Sequence, residues 1–324
     1  MKLVKQKRLA VLISAVAMAA AGCGSAGKPV DPAPVTDVQP PQPAHVGGVD
    51  AGGPGSANKD CNTGSLAPNN GTGIPSGSTM AKIKERGKLI AGVDQTTFLF
   101  GFRNPTNGSL EGFDIDIAKQ VAIAIFGTAE NRIQFRAITS SQREAVLERN
   151  EVDIVVRTYT INCDRLKRVN FSTAYYVAGQ RVLVPNSVAD KVDGLEDLGG
   201  QKVCAAKGST PLKTIAAAPS KPVPVSVDNW SDCLVMLQQG QVAAVSTDDV
   251  ILVGMAEQDP TTRIVGDKFT REPYGIGIPK ANEDMVRFVN AVLDNVRAGP
   301  WRQSYDKWLS KLLGDGSPPP AEYK

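Results

Sequence analysis

The chain of 324 residues carries 36 Lys and Arg against 33 Asp and Glu, a formal charge of +3, and a single histidine. Four of the cations, Lys2, Lys5, Lys7 and Arg8, crowd the first eight positions; 36 − 4 leaves 32 against 33, a charge near −1, which argues for no nucleic-acid partner. One histidine, His45, excludes a histidine-based catalytic triad and a histidine-rich metal site.

The cationic start leads into an apolar run over 9–21, too short to span a bilayer, and then into Ala20-Ala21-Gly22-Cys23. This pattern reads as a secretory signal over residues 1–22. With a cysteine at the cleavage point it resembles a bacterial lipoprotein signal, in which Cys23 would carry the lipid. Ala20 stands where such signals usually have Leu. Residues 23–58 are dominated by Pro, Gly, Ala and Val, a composition that cannot bury enough apolar surface to offset its ordering entropy, and they read as a disordered tether. The polar stretch that follows, to about residue 79, is expected to be pinned by Cys61.

From Met80 onward, strands and helices alternate. "MAKIKERGK" reads as a short helix, "LIAGVD" as a strand and "FDIDIAKQVAIAIF" as a helix; "RIQFRAI", "SQREAVLERN" and "VDIVV" repeat the pattern. It resumes with "RVLVP", "QKVCAA", "STPLKTIAAA", "VPVSV", "WSDCLVMLQQG" and "VAAVSTD", and ends in a helical tail. Alternation over roughly 240 residues predicts two α/β lobes, with parallel pairing wherever a helix crosses over. "GQRVLV" and "YGIGIPK" flank the second set, so the chain is expected to leave the first lobe and later return to it. Cys61, Cys163, Cys204 and Cys233 form an even set in an exported chain, which implies disulfides with three possible pairings; their spacing fits neither a C-x-x-C redox motif nor a zinc cluster.

In "EGFDIDIAKQVAIAI" two aspartates open a helix. Asp114 takes the position of an N-cap after Phe113, Asp116 falls in the first turn, and Ile117, Val121, Ala124 and Ile125 form the expected buried face. Nothing nearby predicts the divided pKa values of a catalytic carboxylate pair, and Gly, Phe and Ile offer no metal ligand.

The segments "GFDIDIA", "VDIVV…T…R…VNFSTAYY", "AVSTDD" and "WRQSYDKWL" occur here in the order of family 3 bacterial solute-binding proteins, the amino-acid receptors of ABC importers. The resemblance runs from about Lys84 to Gly314, and within the family it is greatest to the mycobacterial glutamine/glutamate-binding lipoprotein group. It implies a type II periplasmic-binding-protein fold: two α/β lobes joined by two crossover strands, with lobe 1 at 59–181, lobe 2 at 182–272, and a return strand and C-terminal helices at 273–324. It also implies a clamshell receptor with no cofactor, monomeric, lipid-anchored on the outer face of the cytoplasmic membrane. The partner would be an ABC permease or, alternatively, a transmembrane sensor protein. The fold also hosts a dehydratase and cell-wall lyases, but a pocket of Arg, Thr, Ser and one Asp lacks a positioned general acid or base, so no enzyme is expected.

By the same resemblance Arg165 clamps the ligand α-carboxylate, Thr158 and Thr160 bond to the ligand, a backbone N–H at Thr210 reaches the carboxylate, and Asp248 holds the ammonium, with Asp249 capping the next helix. Family members place aromatic residues near Thr97 and Ser140, and Thr97 is expected among the ligand-binding residues. This chain instead has Ser140 and Arg143, three apart at a helix start, and both are expected to converge on the side-chain carboxylate of aspartate or glutamate, with asparagine and glutamine bound more weakly. Cys204 leaves a strand of lobe 2 and Cys233 starts a nearby helix, which favours their pairing and leaves Cys61 for Cys163.

Overall fold

The computed structural model describes residues 40–48, 61–69 and 71–324, which belong to one unit, Pro40–Lys324. The signal sequence, Cys23 and the tether positions 24–39 and 49–58 lie outside the described residues.

The first half opens with α1 (Thr79–Arg86), started by the Ser78 hydroxyl, which accepts the Ala81 N–H at 3.1 Å. There follow β1 (Leu89–Val93), a small meander of β2 (Thr96–Thr97), β3 (Gly101–Arg103) and β4 (Leu110–Glu111), then α2 (Phe113–Phe126) and β5 (Ile133–Ala137). Next come α3 (Arg143–Glu148), β6 (Ile154–Val155), α4 (Cys163–Arg168) and β7 (Val169–Phe171). A two-stranded crossing ribbon is formed by β8 (Tyr176–Ala178) and, much later, β14 (Glu272–Tyr274), paired antiparallel. Between them lie β9 (Gln180–Pro185), β10 (Lys202–Ala206), α5 (Thr210–Ala217), β11 (Val223–Val227), α6 (Trp230–Gln238), β12 (Ala244–Asp248), α7 (Asp249–Gln258) and β13 (Thr262–Val265). The chain returns through β15 (Gly277–Pro279) and finishes with α8 (Glu283–Arg297), α9 (Pro300–Trp308) and α10 (Ser310–Leu313).

Two five-stranded sheets result, ordered β5-β1-β6-β15-β7 and β11-β10-β12-β9-β13. In the first, β1 runs parallel to β5 and β6, and β15 is antiparallel to β6 and β7. In the second, β10 is parallel to β11 and β12, and β9 is antiparallel to β12 and β13. The central strands are buried along nearly their whole length, as expected where helices cover both sides of a parallel sheet. The crossings fall one step before each segment that reads as strand-like: "GQRVLV" becomes β9 of the second sheet, and Gly277–Pro279 becomes β15 of the first.

The helix start at Asp114 differs from its sequence reading. Gly112, with φ of 125°, precedes the helix, and a Cβ there would lie 2.3 Å from the Phe100 carbonyl oxygen, so only glycine fits. Asp114 is the second helical residue, not the cap, and is fully buried. Asp116 keeps its first-turn place and ties α9 to α2, accepting from Trp308 Nε1 at 2.7 Å and the Ser304 hydroxyl at 3.0 Å.

Two stretches before Met80 are ordered onto the body. Cys61 bonds Cys163, and Cys204 bonds Cys233. Ser65 pairs with the C-terminal segment and donates its hydroxyl to the Phe171 carbonyl at 2.6 Å. The expectation of a disordered tether fails for residues 40–48. Gly47 pairs antiparallel with Ser226 on the edge strand β11, and His45 Nδ1 lies 2.8 Å from Asp228. The reason is an unpaired strand edge, whose N–H and C=O groups accept any extended segment whatever its hydrophobicity.

Candidate ligand-binding cleft

The two sheets face each other across a narrow cleft lined by Arg143, Thr158, Thr160 and Arg165 from the first half and Ser209, Thr210, Pro211, Trp230 and Asp248 from the second. Its cavity volume is about 10 Å³, so the lobes are closed on one another. The contact is direct. Arg143 Nη2 and Arg165 Nη2 each donate to the Gly208 carbonyl at 3.1 Å. Gly208 has φ of 75°, and a Cβ on it would stand 2.7 Å from Ser141 Cα, so both the turn and the close approach require glycine.

Both guanidiniums are almost fully buried and lie over the Tyr159 ring, at 4.4 Å for Arg143 and 5.0 Å for Arg165. Arg143 is held by backbone carbonyls: Nε donates to Ser140 at 2.9 Å, and Nη1 to Arg157 and Thr158 at 3.3 Å each. Burial and then the neighbouring Arg165 push its pKa down to about 9, which leaves it charged at neutral pH. Arg165, on α4 behind the Asn162 cap, donates Nη1 to the Thr160 carbonyl at 2.6 Å and pairs through Nε with Glu144 at 3.3 Å. Burial works to raise the Glu144 pKa, but Arg165 and Arg143 outweigh it and hold the carboxyl ionised.

Thr158 has φ of 40°, a conformation that β-branched residues seldom adopt, and its N–H donates to Asp114 Oδ2 at 2.8 Å. Asp114 also accepts the Tyr175 hydroxyl at 2.7 Å. The buried carboxylate that reads as a helix start therefore fixes the loop carrying Thr158 and Thr160. Burial raises its pKa to about 7, opposed by the bonds from Tyr175 and Thr158 and assisted by the charge of Asp94.

Asp248 closes the opposite side. It ends β12 at the N-cap position of α7 without making a capping bond, accepts the Tyr274 hydroxyl on Oδ2, and leaves Oδ1 buried with no hydrogen-bond partner among the described residues. Burial and then Glu272 push its pKa well above the usual carboxylate range, while Arg143 across the cleft pulls it down. Asp249 is not the cap: it accepts from the Gly179 N–H at 3.1 Å and pairs with Lys268 at 2.7 Å. Thr210 is the first residue of α5, where backbone N–H groups have no intrahelical acceptor, and its hydroxyl donates to Glu272 at 2.7 Å.

Two expected site residues serve other partners. Ser140 does not line the cleft: its hydroxyl accepts from Arg157 and its carbonyl accepts from Arg143, because the segment forms a separate turn, Ser140–Gln142, ahead of α3. Thr97 lies outside the cleft lining and donates its hydroxyl to Asp94 at 2.6 Å. The reading of the sequence missed Arg157 and Trp230. Arg157 is fully buried, 2.7 Å from Asp94, and anchors the floor beneath Thr158; a cation ending the apolar run "VDIVV" was its one signal. Trp230, the first residue of α6, lines the cleft with a buried indole N–H that has no partner among the described residues. A larger neighbouring groove of about 600 Å³ shares Thr160 and Thr210, but none of the residues lining it has an unpartnered buried polar atom.

Residues 89–311 match the family described as bacterial extracellular solute-binding proteins, family 3. The chain is 39% identical to the ABC transporter glutamine-binding protein GlnH of Bacillus subtilis over 235 residues, 72% of this chain and 85% of that one. It is 34% identical to the glutamate-binding protein GluB of Corynebacterium efficiens over 243 residues, 72% and 81% of the two chains. Among solved structures, an ancestral arginine-binding protein bound to glutamine superposes with a TM-score of 0.62 at 34% identity, over 71% of this chain and 99% of that one.

Proposed function

The chain belongs to the family 3 bacterial extracellular solute-binding proteins and is a binding protein, not an enzyme; from that premise we propose that it captures an acidic amino acid between its lobes and delivers it to an ABC importer. Arg165 takes the α-carboxylate, helped by Thr158, Thr160 and the Thr210 N–H, and Asp248 takes the ammonium. Arg143 takes a side-chain carboxylate, so aspartate and glutamate bind more tightly than asparagine and glutamine. The protein acts as a monomer exported to the outer face of the cytoplasmic membrane and anchored there through a lipid on Cys23.

The observation that carries this reading is the unpartnered Asp248 Oδ1, buried in the same cleft as two guanidiniums from the facing lobe. A buried acceptor without a donor costs about 1–3 kcal/mol, more when it is charged, and an ammonium group removes that cost. Entry requires the lobes to part, which frees both arginines from the Gly208 carbonyl; a zwitterion then rejoins them. Its contacts to both jaws exist only in the closed state, and that difference in affinity is what shifts the population. A micromolar constant needs about −8 kcal/mol, within reach of three charged contacts after closure.

Calorimetric titration of the soluble protein with aspartate, glutamate, asparagine and glutamine tests the proposal. Dissociation constants at or below tens of micromolar for the two acids, weaker for the amides, are expected. No heat with any of the four sinks it.

A further inference from the structure

We infer that the Trp230 indole N–H is a specificity-determining donor that reads an oxygen atom at the end of the ligand side chain and refuses cationic side chains; this rests on the amino-acid reading above. Two polar atoms lining the cleft on the lobe 2 side are buried without partners among the described residues: Asp248 Oδ1, an acceptor, and Trp230 Nε1, a donor. Trp230 is only 3% exposed, and a buried indole N–H ordinarily finds an acceptor. A packing role accounts for the ring but not for this N–H. The two orphans do not satisfy each other, so together they ask for a molecule that brings a donor to one and an acceptor to the other.

An amino acid meets that demand if its ammonium lies on Asp248 and an oxygen lies on Trp230. The α-carboxylate already has Arg165 and the N-terminus of α5, which leaves the distal side-chain oxygen for the indole. An indole N–H donates and never accepts. It therefore accommodates a carboxylate or an amide carbonyl, and it opposes an ammonium or guanidinium, whose own donors would face it. A neutral donor also differs from Arg143 in its consequence: Arg143 favours the acids over the amides, whereas Trp230 separates both from side chains that carry no oxygen.

The test is titration of wild-type protein and Trp230→Phe, which keeps the ring and removes the N–H, with glutamate, glutamine, norvaline and lysine. Wild type is expected to bind glutamate and glutamine at least tenfold more tightly than norvaline, and lysine not at all. The substitution is expected to weaken glutamate and glutamine by roughly tenfold and to leave norvaline within twofold. Loss of norvaline binding in parallel with glutamine would assign Trp230 to packing or to the α-carboxylate, and no change for any ligand would leave it without a role; either overturns the inference. If the variant does not fold, the wild-type comparison still decides, since equal affinity for glutamine and norvaline overturns it. Failure of wild type to bind any of the four overturns the amino-acid reading as well, and so is distinguishable.

Discussion

Asp248→Asn separates a ligand contact from a structural one, because the two move in opposite directions. The amide oxygen can still accept the Tyr274 hydroxyl, which places an NH₂ group where Oδ1 now stands. Binding then loses a charge-assisted hydrogen bond, about 1.5–3 kcal/mol, or roughly 10- to 150-fold in Kd at about 1.4 kcal/mol per tenfold. The upper end is expected, since the new donor faces an ammonium. Stability behaves differently. Burial and Glu272 raise the Asp248 pKa above its unfolded value, so the folded chain holds a proton that the unfolded chain has lost, and stability falls as pH rises above the ordinary carboxylate range. The substitution removes that penalty, and the ligand-free protein should melt at pH 7 no lower than wild type. Ligand at 100 times the wild-type Kd stabilises wild type by about 2.7 kcal/mol, and a 100-fold weaker variant by only about 0.4 kcal/mol. Calorimetric titration and thermal scans with and without ligand read both effects. A variant that binds normally, or one that melts several degrees lower without ligand, refutes the reasoning.

Gly208→Ala should push the lobes apart, since its Cβ meets Ser141 Cα at 2.7 Å and its φ of 75° strains any side chain. Tenfold or greater weakening of every ligand, with a larger radius in solution scattering, is the expected result. Arg143→Gln should weaken aspartate and glutamate by roughly 10- to 100-fold and the amides by less; titration with all four amino acids reads the difference. Replacing Cys61 and Cys163 by Ala opens a loop of 102 residues, about 4.7 kcal/mol on chain entropy, and should lower the melting temperature by on the order of 10 °C. Asp114→Asn should flatten the pH dependence of stability. The pKa of about 7, raised by burial from an unfolded 3.8, makes wild type less stable as pH rises from about 4 to 7, and urea titrations across that window measure the slope.

The features legible in the sequence are those whose cause is local. Short segments such as "LIAGV" and "AVSTD" become buried strands, each with a parallel neighbour, and Gly127 at φ 81° stops α2 where the periodicity ends. Arg143, Arg165 and Asp248 reach one cleft because each follows the end of a strand or opens a helix, the places where side chains project between the two sheets. What stayed hidden depends on partners far away in sequence. Asp114 reads as a cap because nothing local announces Thr158 and Tyr175, 44 and 61 residues on. Ser140 sits in a helix-start pattern, but Arg157 reaches its hydroxyl from the bend after β6. Trp230 looks like any aromatic at a helix start until the unpartnered N–H becomes visible.

The same burial that makes these charges costly gives the closed cleft its sensitivity. Lobe 1 brings two guanidiniums, one pushed down to about 9 by burial and by its cationic neighbour; lobe 2 brings a carboxylate pushed up by burial and by Glu272. Without a bridging zwitterion, closure sets one neutral carbonyl, that of Gly208, against two cations and leaves an Asp248 carboxyl oxygen with no hydrogen-bond partner among the described residues. Lobe 1 therefore holds cations that water solvates better than the opposite jaw does, and lobe 2 holds a carboxyl whose charged form burial opposes, which favours opening. A molecule that carries both signs at the right separation reverses the balance on both sides at once, whereas a simple anion or cation relieves one jaw and leaves the other unpaired. On the proposed reading, selectivity for zwitterions over monovalent acids and amines follows from where these groups are buried, before any side-chain preference is added.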